Sequence, residues 1–222
     1  MIRDALLVAG KDLRLELRSR VALNQIVPFA LLVLVLFAFA LDPDRGVLDA
    51  ATPGLYWVAV LFSGLLALQR SFSVEAADGN RDQLRLSGLD PAGIYLGKAL
   101  AVAAQLLVLE VLLGVGVAVL YTTDVAGWPL LLATVVVATA GIAAAGTLYG
   151  VVSAGLRVRE TLLPLLLLPV LAPILIGSTR AFEAALGGTP SDGWPWVGLM
   201  SVFAVLYVVA GVLGFGPLLE EA

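Results

Sequence analysis

"RSFSVEAADGNRDQLRLSGLDPAGIYLGK", residues 70–98, decides how this chain folds. It carries eight formal charges (Arg70, Glu75, Asp78, Arg81, Asp82, Arg85, Asp90 and Lys98) between two long apolar runs. Two runs long enough to cross a bilayer, joined by a charged stretch, read as a hairpin of membrane helices with a polar tip. Asp78 and Gly79 signal a turn, and Asn80 can cap the helical turn after it. Gly88 is a natural left-handed stop, so residues 81–87 read as a short helix. Asp90 caps a new helix with Pro91 at its first position, where the missing N–H costs nothing. Leu84, Leu86 and Leu89 give the short element an apolar side amid charges, as a docking surface has. The alternative is a solvated loop that merely joins two helices; against it stand the capping signals, since a passive connector needs only about two to eight residues.

Outward from this hairpin the rest of the chain is equally apolar. Its 222 residues are 60% hydrophobic and 14% charged, with a mean hydropathy of +1.01. Soluble domains run at about 45–50% apolar and about 25% charged. The sequence therefore predicts an all-α integral membrane protein, a single domain over 1–222. A leader at 1–20 precedes six candidate spans near 21–41, 54–69, 97–121, 129–153, 162–178 and 196–217. Each is close to the ~20 residues that a crossing needs. Ala38 and Ala40 imitate a signal-peptidase site, but the charged leader and the apolar run behind it exceed the usual signal-peptide lengths.

A net charge of −4 and a pI near 4.8 leave no basic field for nucleic acid. Cysteine and histidine are both absent, which removes disulfides, thiol and imidazole catalysis, and the usual ligands of zinc and haem iron. No catalytic set and no metal site is expected, and the five tyrosines are the strongest iron ligands left.

With the N-terminus inside, the inner segments hold Arg3, Lys11, Arg14, Arg18, Arg20, Arg70, Arg81, Arg85, Lys98, Arg157 and Arg159. The outer ones hold only Arg45 and Arg180, a strong positive-inside bias. Trp57, Trp128, Trp194 and Trp196, with Tyr56 and Tyr121, then fall at outward ends, where aromatic rings anchor at headgroup level. Both termini are expected to be cytoplasmic.

The leader places Ile2, Leu6, Ala9, Leu13 and Leu17 near one helical face, with Lys11, Arg14, Glu16 and Arg18 among its polar residues, and predicts a helix in the inner interface. "LRLELR" at 13–18 alternates as a strand would, yet an edge strand there leaves backbone groups unpaired.

The leader "KDLRLELRSR", the loop "LQRSFSVEAADGNRDQL" and the run "LLLPVLAPILIG" resemble, in that order, the CcmB family, the haem exporter B membrane subunit of the cytochrome c maturation ABC transporter. Arg70, Phe72, Glu75, Asp78, Gly79 and Leu84 fit the family's loop pattern; Gln69, Arg81 and Asp82 depart from it. The resemblance implies a permease subunit of the cytoplasmic (inner) membrane, paired as a homodimer with cytoplasmic ATP-binding subunits. It also implies haem-handling membrane subunits and a haem chaperone as partners. Haem is then a candidate substrate, ATP is bound by the partner, and the chain itself holds no cofactor. Arg70, Phe72, Glu75, Asp78, Gly79, Arg81, Asp82, Leu84, Arg85, Leu86 and Leu89 would form the ATPase-coupling loop. The nearest approach to a phosphate loop, "AGIYLGKA" at 92–99, lacks the first glycine and the Ser/Thr and runs into a span, so ATP hydrolysis belongs to another chain.

Inside the spans, Glu110 is costly to insert and by default functional, handling a proton or substrate. The alternative is a protonated carboxyl bonded to a neighbouring helix or to Gln105. A stand-alone secondary transporter using this carboxylate is the competing function. Pro169 and Pro173 kink one side of the fifth span or set its packing. Gly146, Gly150 and Ala154 make a strip of small residues for a dimer seam or for internal packing. "TRAFEAALGGTPSDGWPW", residues 179–196, reads as an outer loop with a short amphipathic piece.

Overall fold

The computed structural model describes residues 1–19, 22–41, 45–76, 88–121, 125–154 and 159–221. Among them the chain is helical throughout: α1 (Ile2–Ser19), a π-helical turn (Ala22–Ile26), α2 (Val27–Ala40), α3 (Arg45–Ala76), α4 (Pro91–Tyr121), α5 (Trp128–Ala154), α6 (Arg159–Leu186) and α7 (Pro190–Glu221). The leader is α-helical through "LRLELR", since a helix satisfies its own backbone. Five helices, α3 to α7, are long and apolar enough to cross a membrane. α1 and Asn24–Ala40 form a sixth candidate that is bent by 53°. The chain is an all-α integral membrane protein.

The helices overrun the apolar stretches that reveal them. α4 has 31 residues, about 46 Å at 1.5 Å per residue, against a hydrocarbon core of about 30 Å. α3 starts at Arg45 rather than near 54. The outer loop expected at 179–196 is a correction: α6 continues to Leu186 and α7 begins at Pro190, so only residues 187–189 connect them. The polar residues there stay helical because a span's end is a matter of solvent, while its helix is set by backbone hydrogen bonding.

The helix boundary at the hairpin obeys its sequence signals. Gly88 has φ +67°, in the left-handed region that favours glycine. The Asp90 carboxylate accepts from the Ala92 N–H at 3.1 Å, its carbonyl accepts from the Ile94 N–H at 2.9 Å, and Pro91 opens α4. The short helix expected at 81–87 lies outside the described residues.

α5, α6 and α7 pack closely together, and α4 joins them with α1 and α3 on its other sides. Val108, Val111, Val115 and Val119 of α4 and Val202, Val205, Val209 and Leu213 of α7 face outward, as a lipid-exposed flank requires. Contacts identify the two ends of the bundle. The Ala126 and Gly127 N–H groups donate to Ala185 at one end, and Arg70 meets Glu16 at the other.

The aromatic residues require a second correction. Trp128 and Trp194 are exposed, but Trp57 is 1% exposed and Tyr56 and Tyr121 are equally enclosed. Tyr56 stacks on Phe182 at 4.7 Å and 12°, with Trp57 edge-on to Phe182 at 5.9 Å. These rings knit α3 to α6 instead of anchoring at headgroups, because more than two turns of helix precede Tyr56 and carry it away from the end of α3.

Candidate functional site

The end of the bundle that carries the N-terminus and the hairpin stems is built around α1. Two glycines of α4 admit it. A Cβ on Gly93 would sit 2.9 Å from the Asp4 Cβ and from the Met1 carbonyl, and one on Gly97 would sit 2.7 Å from the Val8 Cβ. Ala5, Val8 and Ala9 are buried there, so α1 runs beside the first turns of α4 at backbone-contact distance.

Charges then lock this seam on its polar side. The Lys98 ammonium, 3% exposed, lies 3.7 Å from the Asp12 carboxylate, which also meets Lys11 at 3.0 Å. Glu16 reaches Arg70 of α3 at 3.9 Å. The Met1 ammonium lies 3.1 Å from Asp4 and 3.7 Å from Asp90, the residue that caps α4. The hydrogen bond from that ammonium holds Asp4 below the usual carboxylate range and raises the ammonium itself. α1 is thus ion-paired to both stems of the hairpin whose tip is 77–87.

The other expected site residues are dispersed. Phe72 and Glu75 fall within the last turns of α3. Asp78, Gly79, Arg81, Asp82, Leu84, Arg85 and Leu86 lie outside the described residues, while Leu89 packs partly buried against the core. Arg14 and Arg18 are both exposed on α1, along a shallow groove of that helix. Pro169 and Pro173, with Pro164, sit within a single helix, α6. There the Tyr207 hydroxyl donates to the Val170 carbonyl, next in sequence to the Pro169 carbonyl that Pro173 leaves without a partner.

Glu110 is 2% exposed, and its Oε2 is 2.6 Å from the Thr139 hydroxyl of α5. Its partner is a neighbouring helix, not Gln105: five residues along a helix is about 500° at 100° per residue, which turns the two side chains apart. The same hydroxyl lies 2.7 Å from the Val135 carbonyl, and Glu110 Oε1 has no hydrogen-bond partner among the described residues. The Glu110 carbonyl accepts from Tyr56 at 3.0 Å. Four tyrosine hydroxyls are committed in this way to backbone carbonyls: Tyr56, Tyr95 (to Ala144 and Tyr207), Tyr121 (to Leu34) and Tyr207. Gly146 receives the Leu68 side chain of α3, so this part of the small-residue strip serves internal packing.

The model of the CcmB protein family matches residues 3–217. The chain belongs to the CcmB family. It is 31% identical over 186 residues to the heme exporter protein B of Haemophilus influenzae, covering 84% of each chain. It is 32% identical over 187 residues to that of Pseudomonas aeruginosa, again covering 84% of each. It is 34% identical to that of Escherichia coli K12 over 185 residues, 82% of this chain and 83% of that one.

Within this CcmB-family chain, α1 from Arg3 onward, the hairpin and Glu110 all fall inside the matched range. Sequence reasoning missed Asp12 and Thr139, and saw Lys98 only as one more inner cation, because its partner lies far back along the chain. The one local signal was the pair Gly93 and Gly97, four apart beside Lys98, which marks a helix face open to close approach.

Proposed function

We propose that this CcmB-family chain is the permease subunit of an ABC transporter in c-type cytochrome maturation. It would couple ATP hydrolysis by a partner subunit to delivery of haem, or to release of the haem-loaded chaperone. The observation that carries this reading is the family match over 3–217, together with relatives named heme exporter protein B. The whole of 1–222 acts as one permease domain of the cytoplasmic membrane, working as a homodimer, with both termini and the 77–87 tip on the cytoplasmic side. The inner surplus of cations supports that orientation.

The geometry supports a mechanical role for the tip. A push on it is delivered to α3 through the helix that carries Arg70, and to α4 through the Asp90–Pro91 cap. The α1 ion pairs make the two stems move together. Haem is cargo in this scheme. The chain has no histidine or cysteine, and four of its five tyrosine hydroxyls already donate to carbonyls, which favours iron ligation by the partner subunits.

A second reading, a stand-alone carrier working through Glu110, draws on its Oε1, which has no hydrogen-bond partner among the described residues. Purification of the tagged chain from native membranes separates the two. Recovery of a nucleotide-binding subunit, lost on Arg81→Glu with Arg85→Glu, supports the permease. Transport by the chain alone in liposomes, abolished by Glu110→Gln, supports the carrier. Labelling of an Asn80→Cys variant from the external side refutes the permease reading.

A further inference from the structure

Every acid of α1 has an ion-pair partner at the seam: Asp4 and Asp90 surround the Met1 ammonium, Asp12 faces Lys98, and Glu16 faces Arg70. The opposite side of the helix is different in kind. Leu7, Lys11, Arg14, Leu15 and Arg18 line one groove-like stripe, spaced three and four apart as one helical face demands. Leu7 and Leu15 are exposed, and the two arginines have no ion-pair partner among the described residues.

We propose that this stripe holds the headgroup of an anionic membrane phospholipid, with Arg14 and Arg18 on its phosphodiester, Lys11 beside them, and Leu7 and Leu15 against the upper acyl chain. Three observations select this occupant. The seam and Lys11 neutralise the acids of α1, so the outward field is that of Arg14 and Arg18. Guanidinium forks fit phosphate oxygens in a bidentate manner. Leucines interleaved with arginines on one exposed face match the boundary between headgroup and acyl chain, whereas an acidic protein surface offers nothing to the leucines. The stripe also lies at the end to which the charge bias along the sequence assigns most of the cations, where anionic lipid is drawn.

The test is native mass spectrometry of the purified full-length chain titrated with phosphatidylglycerol or phosphatidylcholine. The wild-type chain is expected to bind phosphatidylglycerol preferentially, with an affinity that falls as salt rises. Arg14→Gln with Arg18→Gln should weaken that binding roughly thirtyfold and leave phosphatidylcholine unaffected. The double lysine variant should keep most of it, and Arg180→Gln at the other end should change nothing. A Val8→Cys reporter, protected only while α1 is docked, confirms that the glutamine variant keeps its fold. Equal binding of the two lipids by the wild-type chain overturns the proposal, as does unchanged phosphatidylglycerol affinity in the glutamine variant. Loss of a co-purifying acidic protein with lipid affinity intact also overturns it and assigns the stripe to a protein. The readout needs neither ATPase nor transport, so its failure leaves the permease reading standing.

Discussion

Replacing Lys98 with methionine should release α1 from the bundle. The ammonium is 3.7 Å from Asp12, and the two side chains are 3% and 11% exposed. At an effective dielectric of about 20, unit charges at that distance attract by roughly 4–5 kcal/mol, part of which offsets their desolvation. Removing one member of a buried pair costs about 3–5 kcal/mol when the other is stranded. Asp12 is not wholly stranded, because Lys11 stays 3.0 Å away, so a loss of about 2–3 kcal/mol is expected. The chain has no cysteine, which makes a single Val8→Cys a clean reporter of docking. Val8 is buried against Gly97 and reacts with a maleimide only when α1 lifts. Lys98→Met should therefore raise its labelling rate by about 30- to 150-fold. Adding Asp12→Asn removes the buried anion and should restore most of the protection. Unchanged labelling in Lys98→Met refutes the reasoning, and so do additive losses in the double variant, since paired charges must couple.

Three further outcomes are expected from other parts of the fold. Gly211→Val should lower the thermal midpoint in detergent by more than Tyr95→Phe does. A Cβ at 211 overlaps the Tyr95 ring, at a cost of about 1–3 kcal/mol, while the phenylalanine forfeits one shared hydroxyl bond of about 1 kcal/mol. Thr139→Val should destabilise by about 1 kcal/mol in denaturant titrations, whereas Glu110→Gln, which keeps a partner for that hydroxyl, should stay within about 0.5 kcal/mol of wild type. Asp4 is lowered from 3.8 by its bond to the Met1 ammonium, so that support exists above pH 3.8 and fades as pH falls through the lower folded value. The ammonium is raised from 8.0, so its share is full below pH 8.0 and fades as pH rises through the higher folded value; the protection factor of the Ala5 N–H, its exchange rate set against the intrinsic rate at each pH, should be greatest between those limits.

What was legible in the sequence was whatever the solvent or the local backbone dictates. Apolar runs marked the spans, because lipid demands them over ~20 residues. Asp90 and Pro91 marked the start of α4, because a cap and a missing N–H act within a few residues. Trp57 and Tyr56 were misread for the complementary reason. An aromatic ring near a span's end suits a headgroup and a core equally well, and only Phe182, far along the chain, decides between them. The partners of Lys98 and Glu110 were illegible in the same way, since residues 12 and 139 become neighbours only after helices pack.

The two regions that hold this bundle together use different forces. In hydrocarbon, burying leucine against leucine gains nothing over lipid, so the helices there meet through small residues and through hydroxyls that seek carbonyls, as Tyr95 does between α5 and α7 and Tyr121 does toward α2. At the α1 end water is near, and pairs such as Glu16–Arg70, both partly exposed, take over. Salt screens the second kind and not the first. Raising ionic strength should therefore quicken labelling at Val8→Cys while leaving a cysteine at Ala144, beside the Tyr95 hydroxyl, as protected as before. If salt leaves both sites equally protected, the α1 seam is held by its glycine contacts and the ion pairs contribute little.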